Sequence, residues 1–202
     1  MSEKATPEEL PAEIRDAVPD WDDEYLDRVS DRLMYNYDLE KDHRSGGERW
    51  DLYGEMRVRS QKQFFHPALS YADHEAEEYL FARRDPRPTV ADLERLVERG
   101  HEMAEERVVP DEEHFGTDFT FVLVADELSA AVREHVSGFR DRTLLKFGYH
   151  GHYEINLVVV VPDADDHVAS EAADAKEAFT LWDDVSTPSE GFLSRFAKRF
   201  WR

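Results

Sequence analysis

The run Tyr153–Val161, YEINLVVVV, restricts what this chain can fold into more than any other stretch. Tyr153, Ile155, Leu157, Val159 and Val161 alternate with Glu154, Asn156, Val158 and Val160, the period of two that gives a strand one apolar face and one mixed face. Its four closing valines carry the apolar character onto both faces, as expected of a strand covered on both sides near the centre of a sheet. Upstream, Leu145, Phe147 and Tyr149 alternate with Lys146, Gly148 and His150, so Arg142–Val161 reads as a β-hairpin. Keeping apolar residues opposite apolar ones sets Tyr149 against Tyr153, Phe147 against Ile155 and Leu145 against Leu157, with His150-Gly151-His152 as the turn. A two-residue His150-Gly151 loop would place Phe147 against Glu154 and mix the faces.

Around this core the 202 residues suffice for one domain with tails. The chain carries 46 acidic against 25 basic residues, a formal charge of −21, and only six of the basic residues are lysine. Such a surface repels phosphate backbones, so general nucleic-acid binding starts at a disadvantage. The absence of cysteine excludes a disulfide framework and a thiolate metal site. The opening MSEKATPEEL is acidic and has no apolar core, and no run approaches the ~18 to 20 apolar residues of a membrane span. A cytoplasmic protein is expected.

Taken in order, residues 1–19 form a polar segment and residues 20–162 a single globular domain. Asp20 or Asp22 offers a cap for a helix to about Tyr37, with Trp21, Tyr25, Leu26, Val29, Leu33 and Tyr37 as its packed stripe. Lys41–Gly47 reads as a loop. From Glu48 to about Gln63 a strand is expected, with Trp50, Leu52, Gly54, Met56 and Val58 on one face and Asp51, Tyr53, Glu55, Arg57 and Arg59 on the other. Ser70–Arg84 reads as a short helix followed by a strand. Thr89, with Asp92 three residues on, begins a helix to about Val108. FTFVLV at Phe119–Val124 is a further strand, and Leu128, Ala131, Val132, His135 and Phe139 mark a helix that Gly138 stops. The expected class is α/β or α+β, with a mixed sheet of about five strands and helices packed on it. Residues 163–188 read as an acidic linker.

Two places carry possible chemistry. The carboxy-terminal GFLSRFAKRFWR, residues 189–202 with the preceding serine and glutamate, is amphipathic. On a helical wheel Phe192, Leu193, Phe196, Phe200 and Trp201 fill one half, and Arg195, Lys198 and Arg199 lie in the other. Residues 188–202 carry +3 against −24 for the remainder. Such a helix docks on its own acidic body, in a membrane interface, or in the groove of a protein partner. The second place is His150-Gly-His152-Tyr-Glu154. Residues at i, i+2 and i+4 of a strand face one way, so two imidazoles and a carboxylate can converge on a divalent ion such as zinc. A third protein ligand would come from His114, His101 or Asp118. The bland counterpart is a turn with solvent-exposed histidines.

The acidic composition, together with GERWDLYGEMRVRSQ, FTFVLVADE and FGYHGHYEINLVVVV, resembles the uncharacterised protein families of haloarchaea, a domain of unknown function spanning about residues 20–162. That resemblance implies life at high salt and no particular activity. The expectation is a binding or interaction domain carrying a tethered cationic helix. The alternative is a metal-dependent hydrolase built on His150, His152 and Glu154.

Overall fold

Strand-forming apolar runs separated by capped amphipathic helices assemble here into a sheet with helices on both faces. The computed structural model describes residues 19–61 and 73–183. In chain order the elements are α1 (Glu24–Leu33), β1 (Asp38–Ser45), β2 (Glu48–Gln61), β3 (Asp73–Arg84), α2 (Val90–Arg107), β4 (His114–Val124), α3 (Ala130–Gly138), β5 (Asp141–Leu144), β6 (His152–Val161), β7 (Asp166–Ala169) and α4 (Lys176–Phe179). The sheet runs β1-β2-β3-β4-β6-β5, with β7 also on β6. β3, β4 and β6 are parallel, and every other pairing is antiparallel. This is an open, mixed α+β sheet of seven strands, two more than the sequence suggested.

Each face has its own core. On one, α1 and the segment around α4 cover Leu52, Met56, Leu80, Val122, Val158 and Val160 with Leu26, Val29, Leu33 and Phe179. On the other, α2 and α3 bring Leu93, Leu96, Met103, Val132 and Val136 onto Phe81, Phe119, Phe121, Ile155 and Val159. The second face is laced by cross-strand aromatic pairs, with ring centroids 5.1 Å apart for Tyr53–Phe81 and 5.4 Å for Phe81–Phe121. Gly100 lets α2 settle close: a Cβ there would lie 2.9 Å from Ile155 Cδ1.

The caps explain the helix starts. Thr89 and Asp92 form the expected capping box. α1 is capped by Asp23, whose carboxylate accepts the Tyr25 and Leu26 N–H groups, rather than by Asp20 or Asp22.

α1 also ends at Leu33, short of Tyr37. Five further sequence expectations need correction. Asp38–Ser45 is an edge strand and not a loop, because backbone pairing to β2 through the Gly46-Gly47 turn (φ 60° and 80°) overrides a charged sequence with one apolar side chain. Asp73–Arg84 is strand throughout: DHEAEE has helix-forming composition, but β2 and β4 flank it on both edges. Trp50 packs with Tyr53, Phe81 and Phe121 while Leu52 and Met56 face the other core. The alternation slips beside Asp42, which sits at φ 58° between the ladder pairs Lys41↔Leu52 and His43↔Trp50.

The hairpin pairs in a different register. β5 sets Arg142 against Glu154 and Leu144 against His152, and residues 145–151 leave the sheet with Lys146 and Phe147 at positive φ. Phe147 is 96% exposed. The edge that Leu145 would have taken beside Leu157 belongs to Ser170, whose N–H donates to the Leu157 carbonyl at 2.9 Å. Finally, residues 163–183 are no linker: β7 extends the sheet, and Ala173, Ala175 and Phe179 are buried. Among the described residues no helix is long and apolar enough to cross a membrane.

Candidate metal centre

Cross-strand register builds a polar island inside the first core. Glu78 opposes Asp118 between β3 and β4, Asp118 opposes Glu154 between β4 and β6, and Glu154 opposes Arg142 between β6 and β5. Facing residues on paired strands share a sheet face, so these four lie in one row across the sheet. Thr120 and Asn156 stand one step along, and His152 one step back beside Gly116. Glu78, Asp118, His152, Glu154 and Asn156 are all at least 94% buried, where carboxylates persist only with compensating groups.

Within the island, Asp118, His152 and Glu154 offer ligand atoms that all lie within 4.8 Å of one another. Bonds of about 2.0–2.2 Å hold two ligands of one ion at most ~4 Å apart, so closure requires only a sub-ångström adjustment of the side chains. One imidazole with two carboxylates suits Zn²⁺, Mn²⁺ or Fe²⁺ better than Ca²⁺ or Cu⁺.

The neighbours are ordered by hydrogen bonds. Glu78 accepts from the Tyr37 hydroxyl (2.8 Å) and the Thr120 hydroxyl (2.9 Å). Burial, reinforced by the Glu78 carboxylate, pushes the Tyr37 phenol well above its ordinary pKa, so it remains a donor. Arg142 donates through Nη2 to His152 Nδ1 (3.1 Å) and pairs through Nε with Glu154 Oε1 (3.2 Å). Phe115 meets the His152 ring edge-on.

Of the sequence-derived metal residues, His152 and Glu154 come together and His150 does not. His150 lies in the turn ahead of β6, where the strand alternation has not begun, and its carbonyl accepts from His114 Nδ1 at 2.8 Å. Among the three further ligands considered, Asp118 joins the cluster. His114 is committed to the His150 carbonyl and the Thr117 hydroxyl. His101 bonds Tyr153 and Asp141, and Tyr153 belongs to the opposite face of the sheet. Glu78 was missed altogether; it closes the acidic run Glu75–Glu78 just ahead of the apolar Tyr79-Leu80-Phe81, and nothing local sets it apart from Glu77. The docking residues Phe192, Leu193, Arg195, Phe196, Lys198, Arg199, Phe200 and Trp201 lie outside the described residues.

Among the described residues, two clefts flank the sheet. One, of about 560 Å³, lies at the carboxyl ends of β3 and β6, where open α/β sheets usually bind ligands. Its Arg84 is already paired with Asp23. The other, of about 400 Å³, opens beside the island, bounded by Arg140–Arg142, Glu154–Asn156 and Ser170–Ala172.

No curated protein and no solved structure matches the chain significantly. A family model does, over residues 22–181, which takes in every element from α1 to α4 and the whole polar island. The chain therefore belongs to the family described as Domain of unknown function (DUF8052).

Proposed function

We propose that this domain binds one divalent transition-metal ion through Asp118, His152 and Glu154, and that the ion serves hydrolysis by activating water. The observation that carries the reading is the convergence of those three side chains, from two adjacent parallel strands, to within 4.8 Å in a buried setting. Three protein ligands leave a fourth position for water, the arrangement of catalytic rather than structural zinc sites. The adjoining cleft of about 400 Å³, bordered by Glu154 itself, is of a size that admits a small substrate. The ion would supply a water nucleophile at neutral pH. The chain's own residues hold it, fix the imidazole and exclude bulk solvent.

Elemental analysis of protein stripped with chelator and reloaded with Zn²⁺ or Mn²⁺ tests this. One equivalent per chain is expected, falling to none in Asp118→Asn and in His152→Ala, while His150→Ala keeps the full equivalent. A folded wild-type chain that takes up no ion, or variants that bind as wild type does, would overturn the reading. Activity follows from the loaded protein's turnover of simple esters and phosphoesters, which should vanish with the ion.

A further inference from the structure

We propose that Arg142 is the resident competitor of the ion and that, once displaced, it becomes the anion-binding arm of the adjoining cleft. This rests on the ion-binding reading above. A guanidinium carries only donors and keeps its charge, so Nδ1 of His152, 3.1 Å from Arg142 Nη2, must be the acceptor. That bond spends the lone pair on Nδ1 and leaves the ring proton of the neutral imidazole on Nε2. A metal bound at Nδ1 takes the same lone pair. Bound at Nε2, it requires the proton on Nδ1, pointing into the guanidinium N–H. Either way Arg142 lets go of His152, and the repulsion between two cations loosens its 3.2 Å pairing with Glu154 as well.

The side chain has room to leave. Arg142 is 51% exposed along its side chain, against 8% for Glu154, so it covers the cluster from the solvent side. The space it can move into is the cleft it already lines, together with Asn156 and Ser170. There Asn156, 98% buried, uses Oδ1 to accept the Ser170 hydroxyl (3.3 Å), while its Nδ2 finds no hydrogen-bond partner. A buried donor without an acceptor is costly, and a ligand oxygen in the cleft satisfies it. The other ionisable groups of the cleft are engaged: Arg140 pairs with Glu171, and Asp141 is hydrogen-bonded to His101. The groups that a second ligand can recruit are thus an amide donor and a displaced guanidinium, beside the bound cation. That combination recognises an oxyanion, and a phosphoryl group engages an arginine fork, an amide and an ion together.

The order of events follows. Without the ion, Arg142 neutralises Glu154 and the cleft lacks its cationic arm; with the ion in place, the arm is released and the anion binds.

Calorimetric titration with Mn²⁺ alone, and then with inorganic phosphate, tests both halves. The Arg142→Met variant should bind Mn²⁺ about five- to tenfold more tightly than wild type. Arg142→Lys, whose point charge fits the fork less well, should fall between them and guards against a misfolded Met variant. Ion-loaded wild type should bind phosphate at least tenfold more tightly than the ion-free protein, and loaded Arg142→Met should lose that gain. If Arg142→Met binds Mn²⁺ equally or more weakly, Arg142 positions the ligands and the competition is refuted. If phosphate binding ignores either the ion or Arg142, the anion arm is refuted. A folded wild type that binds no Mn²⁺ sinks the ion-binding reading itself, a result distinct from the other two.

Discussion

Gly151 and Gly47 make a matched pair that isolates one packing term next to the candidate site. Both occupy left-handed backbone, at φ 75° and 80°. A Cβ on Gly47 would meet nothing within 4 Å, whereas one on Gly151 would lie 2.2 Å from the Phe115 carbonyl oxygen and 2.6 Å from its carbon. Alanine at either position pays the left-handed penalty of about 1–2 kcal/mol. At Gly151 the start of β4 must also retreat by about 1 Å, and because the obstacle is backbone flanked by β3 and β6, no rotamer relieves it; overpacking of this kind costs about 1–3 kcal/mol more. Gly151→Ala is therefore expected to lose about 2–5 kcal/mol and Gly47→Ala about 1–2. At ~2–4 °C per kcal/mol for a chain of this size, the difference is ~2–12 °C in Tm. The displaced segment carries Gly116, the ladder partner of His152, and Asp118 follows two residues later. Mn²⁺ affinity should thus weaken at least tenfold in Gly151→Ala and hold in Gly47→Ala. Urea unfolding of the two variants side by side decides it: equal losses, within about 0.5 kcal/mol, would refute the argument that Gly151 is there for the close approach of β4.

Thr89→Ala removes half of the capping box of α2 and should cost about 1 kcal/mol by urea unfolding, with Thr89→Ser restoring most of it. Burial pushes the phenols of Tyr53 and Tyr79 up to about 12 from 10.0. Their folded pKa values are raised, so the stability they contribute is complete below pH 10 and is lost as the pH climbs towards 12; unfolding free energy should fall across that window, and Tyr53→Phe, Tyr79→Phe should flatten the fall. For the carboxy-terminal segment, flotation with anionic vesicles at molar salt compares the full chain with one ending at Thr187. Flotation of the full chain alone is the membrane-docking outcome, and flotation of neither removes that reading.

What the sequence disclosed, and what it withheld, follows from how local each signal is. The Thr89–Asp92 box, the Leu26-Val29-Leu33 stripe of α1 and the valine run of β6 are written within one or two turns or one strand, and all three stand in the structure, although α1 ends at Leu33 and Trp21 and Tyr37 join its core from outside the helix. β1 is a strand through its hairpin pairing with β2, and the first half of β3 through pairing with β2 and the more distant β4, against their own charge and propensity. The candidate centre divides along the same line. His152 and Glu154 share a face because they are two apart on one strand. Asp118 reaches them only through the parallel register of β4 on β6, across 34 residues, and no local pattern encodes that register. His150 stands outside the cluster because the strand alternation begins only after Gly151, at φ 75°, turns the chain.

The cleft has a topological origin that can itself be tested. β6 gives one edge to β4 along its whole length, while two short strands share the other: β5 covers His152–Ile155 and β7 covers Val158–Val161. Between them the backbone of Leu157 is left to a single residue, Ser170, whose N–H donates to the Leu157 carbonyl (2.9 Å) and whose hydroxyl oxygen accepts the Leu157 N–H (3.1 Å). The gap between β5 and β7 is where the cleft of about 400 Å³ opens, so the broken edge places an opening beside Glu154 that a continuous strand would have closed. Ser170→Ala keeps the backbone bond but leaves the buried Leu157 N–H without its acceptor and the Asn156 amide without its Ser170 contact, a loss of about 1–3 kcal/mol by urea unfolding. Ser170→Thr retains the hydroxyl and should recover the larger share. A Ser170→Ala chain as stable as wild type to within about 0.5 kcal/mol would mean that Leu157 is satisfied by other means, and that Ser170 does not hold the cleft open by standing in for the missing strand.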